Sequence, residues 1–229
     1  CKNTWYGCFY TLIGPDDHKI LNDFGVVFIW DNFFKNNNTG DIYLNYCEYL
    51  KTKYNSKLSK EEILQFRRNL SKELSKDIEY KPDADKIIKY LKNHKIKIAL
   101  GTVSRKETIE IYSNENENIK NKCNLQKYFD FIVTKDDVKL KKPNPEVYNK
   151  IIEKLKISDL SKCIVVEDSL TGVMAAKNAN LDVIVVYDKY SDKDREKINK
   201  LADYNVANFK ELIEIFKESK IEGESDDNL

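Results

Sequence analysis

Three short stretches combine residue types that could handle a phosphate group and a divalent cation. Glu167-Asp168 follows directly on the apolar run KCIVV (162–166) and leads into Ser169-Leu170-Thr171-Gly172-Val173 and a small-residue helix, MAAKNAN. Adjacent carboxylates at the tip of a buried strand need a compensating cation, because desolvated like charges are costly. Mg²⁺ takes such oxygens well; acidic caps at a helix start are the plainer alternative. Lys142 stands against Pro143 in KDDVKLKKPNPEVY (135–148), with Pro145 soon after. In so lysine-rich a chain one lysine is ordinarily a solvated charge, but one held just before a helix start is less ordinary. Thr102-Val103-Ser104-Arg105 follows KIKIALG (95–101) and puts a hydroxyl at a helix opening, where free backbone N–H groups and the helix dipole favour an anion. Taken alone, such a hydroxyl is a cap more often than a ligand.

The elements that would carry these residues alternate. After Pro82 come the β-rich runs KIKIALG (95–101), FDFIV (129–133), KCIVV (162–166) and DVIVV (182–186), separated by helical patterns near 83–93, 105–112, 145–155, 170–179 and 191–201. That spacing predicts βαβ units and an α/β fold with a doubly wound, mostly parallel sheet. Ligand sites in such sheets collect at the carboxyl ends of strands. A short first strand is expected at Thr4 to Phe9. From Asp16 to about Ile78 the pattern is helical, with helices near 17–34, 41–53 and 60–76, the last opened by a capping box of Ser59 and Glu62. The expected organisation is an α/β core over 1–15 and 79–217, an all-helical insertion over 16–78, and a disordered polar tail over 218–229.

Composition narrows the function class. The 229 residues carry 39 Lys+Arg against 38 Asp+Glu, a net charge of +1. This lacks the basic surplus of a dedicated nucleic-acid or anionic-membrane binder. No apolar run reaches the length of a membrane span, and no basic stretch followed by an apolar block opens the chain. The five cysteines are odd in number, widely spaced and free of any C-x-x-C pair, which argues against a disulfide framework or a zinc site. The expectation is a cytoplasmic monomer acting on a small molecule, without nucleic acid or membrane as partner.

In this order and setting, Thr102, Lys142 and Glu167-Asp168 resemble the haloacid dehalogenase superfamily, specifically its β-phosphoglucomutase and phosphoglycolate phosphatase-like branch. The likeness runs from Pro82 to about Val186, with KPNPEVY and VVEDSLTGVMAAKNA as its most specific pieces. It implies a Rossmannoid core with a small helical cap inserted after the first strand, closing over the site. It also implies phosphoryl transfer on a small phosphorylated metabolite through an aspartyl phosphate. A first Asp attacks phosphorus, a second Asp two residues on serves as acid and base, and Mg²⁺ offsets the developing charge. By matching positions, Thr102 and Val103 would hold phosphoryl oxygens, Lys142 would neutralise them and bridge to the nucleophile, and Glu167 and Asp168 would anchor the metal.

The first motif departs from that pattern. Laid on F-D-x-D-G-T-L, the chain reads Tyr6-Gly7-Cys8-Phe9-Tyr10-Thr11-Leu12. Gly7 stands at the nucleophile position, Phe9 at the acid/base position, and Tyr10 replaces the turn glycine. Neither Gly7 nor Phe9 can form a phosphoenzyme or shuttle a proton, and only the Phe9 carbonyl remains there for a metal. The expectation is a catalytically impaired protein with weak or absent Mg²⁺ binding. Two alternatives stay open: a pseudoenzyme kept for binding, or an active phosphatase using another carboxylate such as Asp31 at the end of GVVFIW (25–30).

Overall fold

The computed structural model describes residues 42–218. The expected first strand with Gly7 and Phe9, the helix near 17–34, Asp31 and nearly all of the polar tail lie outside those residues. The described chain opens with a helical pair, α1 (Ile42–Lys53) packed against α2 (Lys60–Ser75). The capping box at the start of α2 forms as its spacing predicts: the Ser59 N–H donates to Glu62 Oε2 at 2.7 Å and the Glu62 N–H donates to Ser59 Oγ at 3.1 Å.

Beyond the pair the chain is α/β. Strands β1 (Ala99–Gly101), β2 (Phe131–Val133), β3 (Ile164–Glu167), β4 (Asp182–Val186) and β5 (Tyr204–Val206) form two parallel groups, β1-β2 and β3-β4-β5. Leu100 is opposite Ile132, Val166 opposite Ile184, and Val185 opposite Asn205. Helices α3 (Ala84–Asn93), α4 (Lys106–Asn114), α5 (Glu117–Cys123), α6 (Leu125–Tyr128), α7 (Glu146–Leu155), α8 (Leu170–Asn178), α9 (Arg195–Leu201) and α10 (Phe209–Glu218) surround them.

The alternation of side chains along β4 explains the two-sided cover. Val183 and Val185 enter one apolar cluster with Val147 of α7, Val173 and Ala176 of α8 and Ile198 of α9. Ile184 and Val186 enter another with Ile87 and Ile88 of α3, Ile119 of α5 and Leu212 of α10. A strand buried on both faces reads as a continuous run of β-branched residues, as DVIVV does.

Three helices that return the chain toward a strand stop in the same way. Lys95, Lys156 and Asn180 follow α3, α7 and α8 with left-handed φ of 58°, 54° and 57°. The next residue in each case, Ile96, Ile157 and Leu181, donates its N–H back to Leu91, Ile152 and Ala176, which is the Schellman arrangement. At α3 this stop consumes the start of KIKIALG, so the strand begins only at Ala99 and is shorter than expected. The helical pattern near 191–201 resolves into a 3₁₀ segment, Lys189–Asp194, followed by α9. Strand β5 and helices α5, α6 and α10 were not among the expected elements. No helix among the described residues is long and apolar enough to cross a membrane.

The segment between α2 and α3 is held from inside. Asn116, fully buried, donates from Nδ2 to the carbonyls of Ser75 at 2.8 Å and Ile78 at 2.9 Å, while its Oδ1 accepts the Ile119 N–H at 2.9 Å. The Tyr80 hydroxyl donates to the Cys123 carbonyl.

Candidate active site

The carboxyl ends of β1 and β3 bring the expected residues together. Thr102, buried, extends the β1 ladder by donating its N–H to the Val133 carbonyl at 2.9 Å, and its Oγ1 accepts the Ser104 N–H at 3.0 Å. The hydroxyl thus folds the loop before α4. Ser104 Oγ is buried there without a partner among the described residues.

Lys142 reaches the same strand end from the loop before α7, where its peptide bond to Pro143 is cis. Its Nζ donates to the Gly101 carbonyl at 3.2 Å, to the Tyr148 hydroxyl at 3.1 Å and to Glu167 Oε1 at 2.5 Å. The Tyr148 hydroxyl in turn donates to Glu167 Oε1 at 2.7 Å. The loop that presents the lysine is itself fixed, because the Glu146 carboxylate accepts the N–H groups of Lys139 and Leu140.

Glu167 ends β3 beneath the first turn of α8, and its Oε2 accepts from the Asp168 N–H and the Ser169 hydroxyl, both at 3.3 Å. The approach is so close that a Cβ on Gly172 would lie 2.1 Å from the carboxylate. Only glycine fits there, which accounts for the glycine in EDSLTG.

Asp168 faces the other way, toward the segment between α2 and α3. Lys81 Nζ lies 3.1 Å from Asp168 Oδ2 and 2.7 Å from Asp188 Oδ2, just beyond β4. The cluster therefore holds two lysines against three carboxylates. Burial pushes the Glu167 carboxyl up, but the charge and hydrogen bond of Lys142, with the Tyr148 hydroxyl, outweigh it and hold the group below the usual carboxylate range. At Asp168 burial prevails over Lys81, and the neighbouring Glu167 and Asp188 charges add to it, so the pKa is pushed up to about 6.

Sequence reasoning named Thr102, Lys142, Glu167 and Asp168 but assigned nothing to Tyr148, Lys81 or Asp188. Tyr148 was within reach, since it closes KPNPEVY. Lys81 and Asp188 lie far from each other and from Asp168 in sequence, and only the fold joins them.

The donor set bears on whether a divalent cation fits. Carboxylate oxygens suit Mg²⁺ in type. Both Glu167 oxygens, however, accept from protein donors, Asp168 Oδ2 faces an ammonium, and no three His, Cys, Asp or Glu side chains among the described residues form a ligand set. Those residues by themselves do not make a Mg²⁺ site.

A profile of haloacid dehalogenase-like hydrolases matches residues 34–186, more than half of the chain. The chain belongs to this haloacid dehalogenase-like family. Among family relatives, a phosphorylated carbohydrates phosphatase of Thermotoga maritima is 32% identical over 138 residues, 60% of this chain and 58% of the relative. A bifunctional riboflavin kinase/FMN phosphatase of Arabidopsis thaliana is 37% identical over 105 residues, 46% of this chain and 26% of the relative. The matches thus span less than two thirds of either curated relative. A Thermotoga maritima structure solved as a candidate β-phosphoglucomutase superposes with a TM-score of 0.67 at 25% identity, over 88% of both chains. The α/β architecture with parallel strands is that of the haloacid dehalogenase-like fold.

Proposed function

We propose that this chain is a phosphate-binding haloacid dehalogenase-like protein, related to phosphatases and phosphomutases of small phosphorylated metabolites, in which turnover is impaired. The observation that carries the reading is Lys142, clamped by Glu167, Tyr148 and the Gly101 carbonyl beside the Thr102 loop. A fixed ammonium next to a helix-opening loop is suited to phosphoryl oxygens. In this reading Thr102 and Val103 shape the loop that receives those oxygens, and Lys142 neutralises them. Glu167 holds the Lys142 ammonium in place through its hydrogen bond, and residues 16–78 form the cap. Gly7 and Phe9 leave no nucleophile or acid/base, a loss of roughly 10⁴ to 10⁶ in rate by analogy with nucleophile knockouts.

The test is hydrolysis of a small activated aryl phosphate with Mg²⁺, together with calorimetric binding of inorganic phosphate. The folded wild type is expected to bind phosphate and turn over nothing. Lys142→Met should lose the binding. Gly7→Asp with Phe9→Asp should restore hydrolysis far more than either change alone, because the two aspartates act as one catalytic unit; Tyr10→Gly is the third change, returning the turn glycine of the family pattern. Mg²⁺-dependent turnover by the wild type that Asp31→Asn abolishes would overturn the impaired reading in favour of Asp31.

A further inference from the structure

We infer that the chain's own cations, Lys81 above all, balance the strand-end carboxylates in place of a divalent metal, so that phosphate binds at this site without one. The inference rests on the reading that Lys142 and the Thr102 loop receive phosphate, and it gives Lys81 the part of a built-in counter-ion that this reading leaves unassigned.

Charge balance at the strand ends carries it. Glu167, Asp168 and Asp188 meet just beyond β3 and β4, and a phosphate brought beside three carboxylates is repelled unless cations offset them. Among the described residues each carboxylate has a cation at hand. Lys142 Nζ donates to Glu167 Oε1 at 2.5 Å. Lys81 Nζ lies 3.1 Å from Asp168 Oδ2 and 2.7 Å from Asp188 Oδ2, with all three side chains nearly buried. The Arg195 guanidinium donates to the Asp188 carbonyl at 2.7 Å and adds a third positive charge at that end, shared with the exposed Asp192 at 3.6 Å. The oxygens a divalent cation would need are already engaged, and side chains supply the offset it would bring.

The balance is in place before any ligand arrives. Lys81 stands directly before Pro82, which restricts its backbone. On its other side Tyr80 is anchored through its hydroxyl to the Cys123 carbonyl, and Asn116 holds the Ile78 carbonyl. Asp188 is fixed as well, its Oδ1 accepting the Tyr190 N–H at 2.8 Å. A counter-ion held so costs no further ordering when an anion enters.

Inorganic phosphate titrated calorimetrically into the full chain tests this, once in buffer freed of metal by chelation and once in excess Mg²⁺. The wild type is expected to bind alike in both, to within about threefold. Lys81→Met, which leaves Asp168 and Asp188 facing the anion, should weaken metal-free binding about tenfold. Lys81→Met with Asp168→Asn removes a carboxylate along with the cation and should recover most of that loss. A lysine that only props up the loop would not be rescued by removing its partner's charge.

A gain of more than about threefold for the wild type on adding Mg²⁺ overturns the inference. So does a Lys81→Met loss below about threefold, or one that the double variant does not recover. Should Lys81→Met fail to fold, the two wild-type titrations still decide, because binding that needs Mg²⁺ contradicts a metal-free balance. Failure of the underlying reading looks different. A wild type that binds phosphate in neither buffer, or Lys142→Met that binds as well as the wild type, overturns the site assignment itself. Mg²⁺-dependent binding that Lys142→Met abolishes leaves that assignment standing and overturns the role of Lys81 alone.

Discussion

Glu167 and Asp168 are adjacent and both buried, yet folding moves their carboxyl groups in opposite directions, because one faces Lys142 and Tyr148 while the other shares a single lysine with Asp188. The Asp168 pKa rises on folding from 3.8 to about 6, so between those values the folded protein binds the extra proton. The stabilisation from that proton is full below the unfolded pKa and is lost as pH rises through the folded one. Urea unfolding of wild type and Asp168→Asn from pH 4 to 7 should therefore show wild type losing up to about 3 kcal/mol relative to the variant. A flat difference would contradict the shift. Gly172 supports the neighbouring carboxylate. In Gly172→Ala the methyl would meet the Glu167 carboxylate and force it away from Lys142, at a cost of about 3 to 5 kcal/mol for an uncompensated buried charge. A change in urea midpoint equivalent to less than 1 kcal/mol would mean that Glu167 can yield.

At the scale of elements, the left-handed stops after α3, α7 and α8 use Lys95, Lys156 and Asn180, in a chain with only seven glycines. A side chain at such a φ costs about 1 kcal/mol or more. Lys156 is exposed, so Lys156→Gly should raise stability by about 1 kcal/mol, read as a higher melting temperature; a lower one would show that its side chain holds something else in place. The same scale explains what could and could not be read from sequence. DVIVV, buried on both faces, forms a strand over the very residues expected, and α7 and α8 fall within a residue of their expected ends. β5 is three residues long and exposes Tyr204 and Asn205, so it offered neither an apolar run nor alternation. α5 and α6 are too short for a periodic signal. α10 did carry one, with Phe209, Leu212, Ile213 and Phe216 on a single face.

For the whole molecule, the meeting of the α1–α2 pair with the α/β part depends on a polar residue that no pattern singled out. Asn116 binds the backbone carbonyls of Ser75, the last residue of α2, and of Ile78 just beyond it, and caps α5, all away from water. Asn116→Ala would leave those carbonyls buried without donors, and a loss of about 3 kcal/mol is expected in urea unfolding, with earlier proteolytic cleavage near residues 76–80. Unchanged cleavage would show that packing alone holds the junction. Motif residues could be located by their order along the chain, whereas Asn116, Lys81 and Asp188 act across long sequence separations and carry no local mark.

The burial of β4 has a consequence in time as well as in space. Its ladder is paired to β3 on one edge and β5 on the other, and its side chains fill the apolar clusters above and below. No local opening can free its central amides without breaking both clusters together. In deuterium the N–H groups of Val183 to Val185 should be the last to exchange, at a rate set by unfolding of the entire α/β part, so their protection would report the stability of the whole fold.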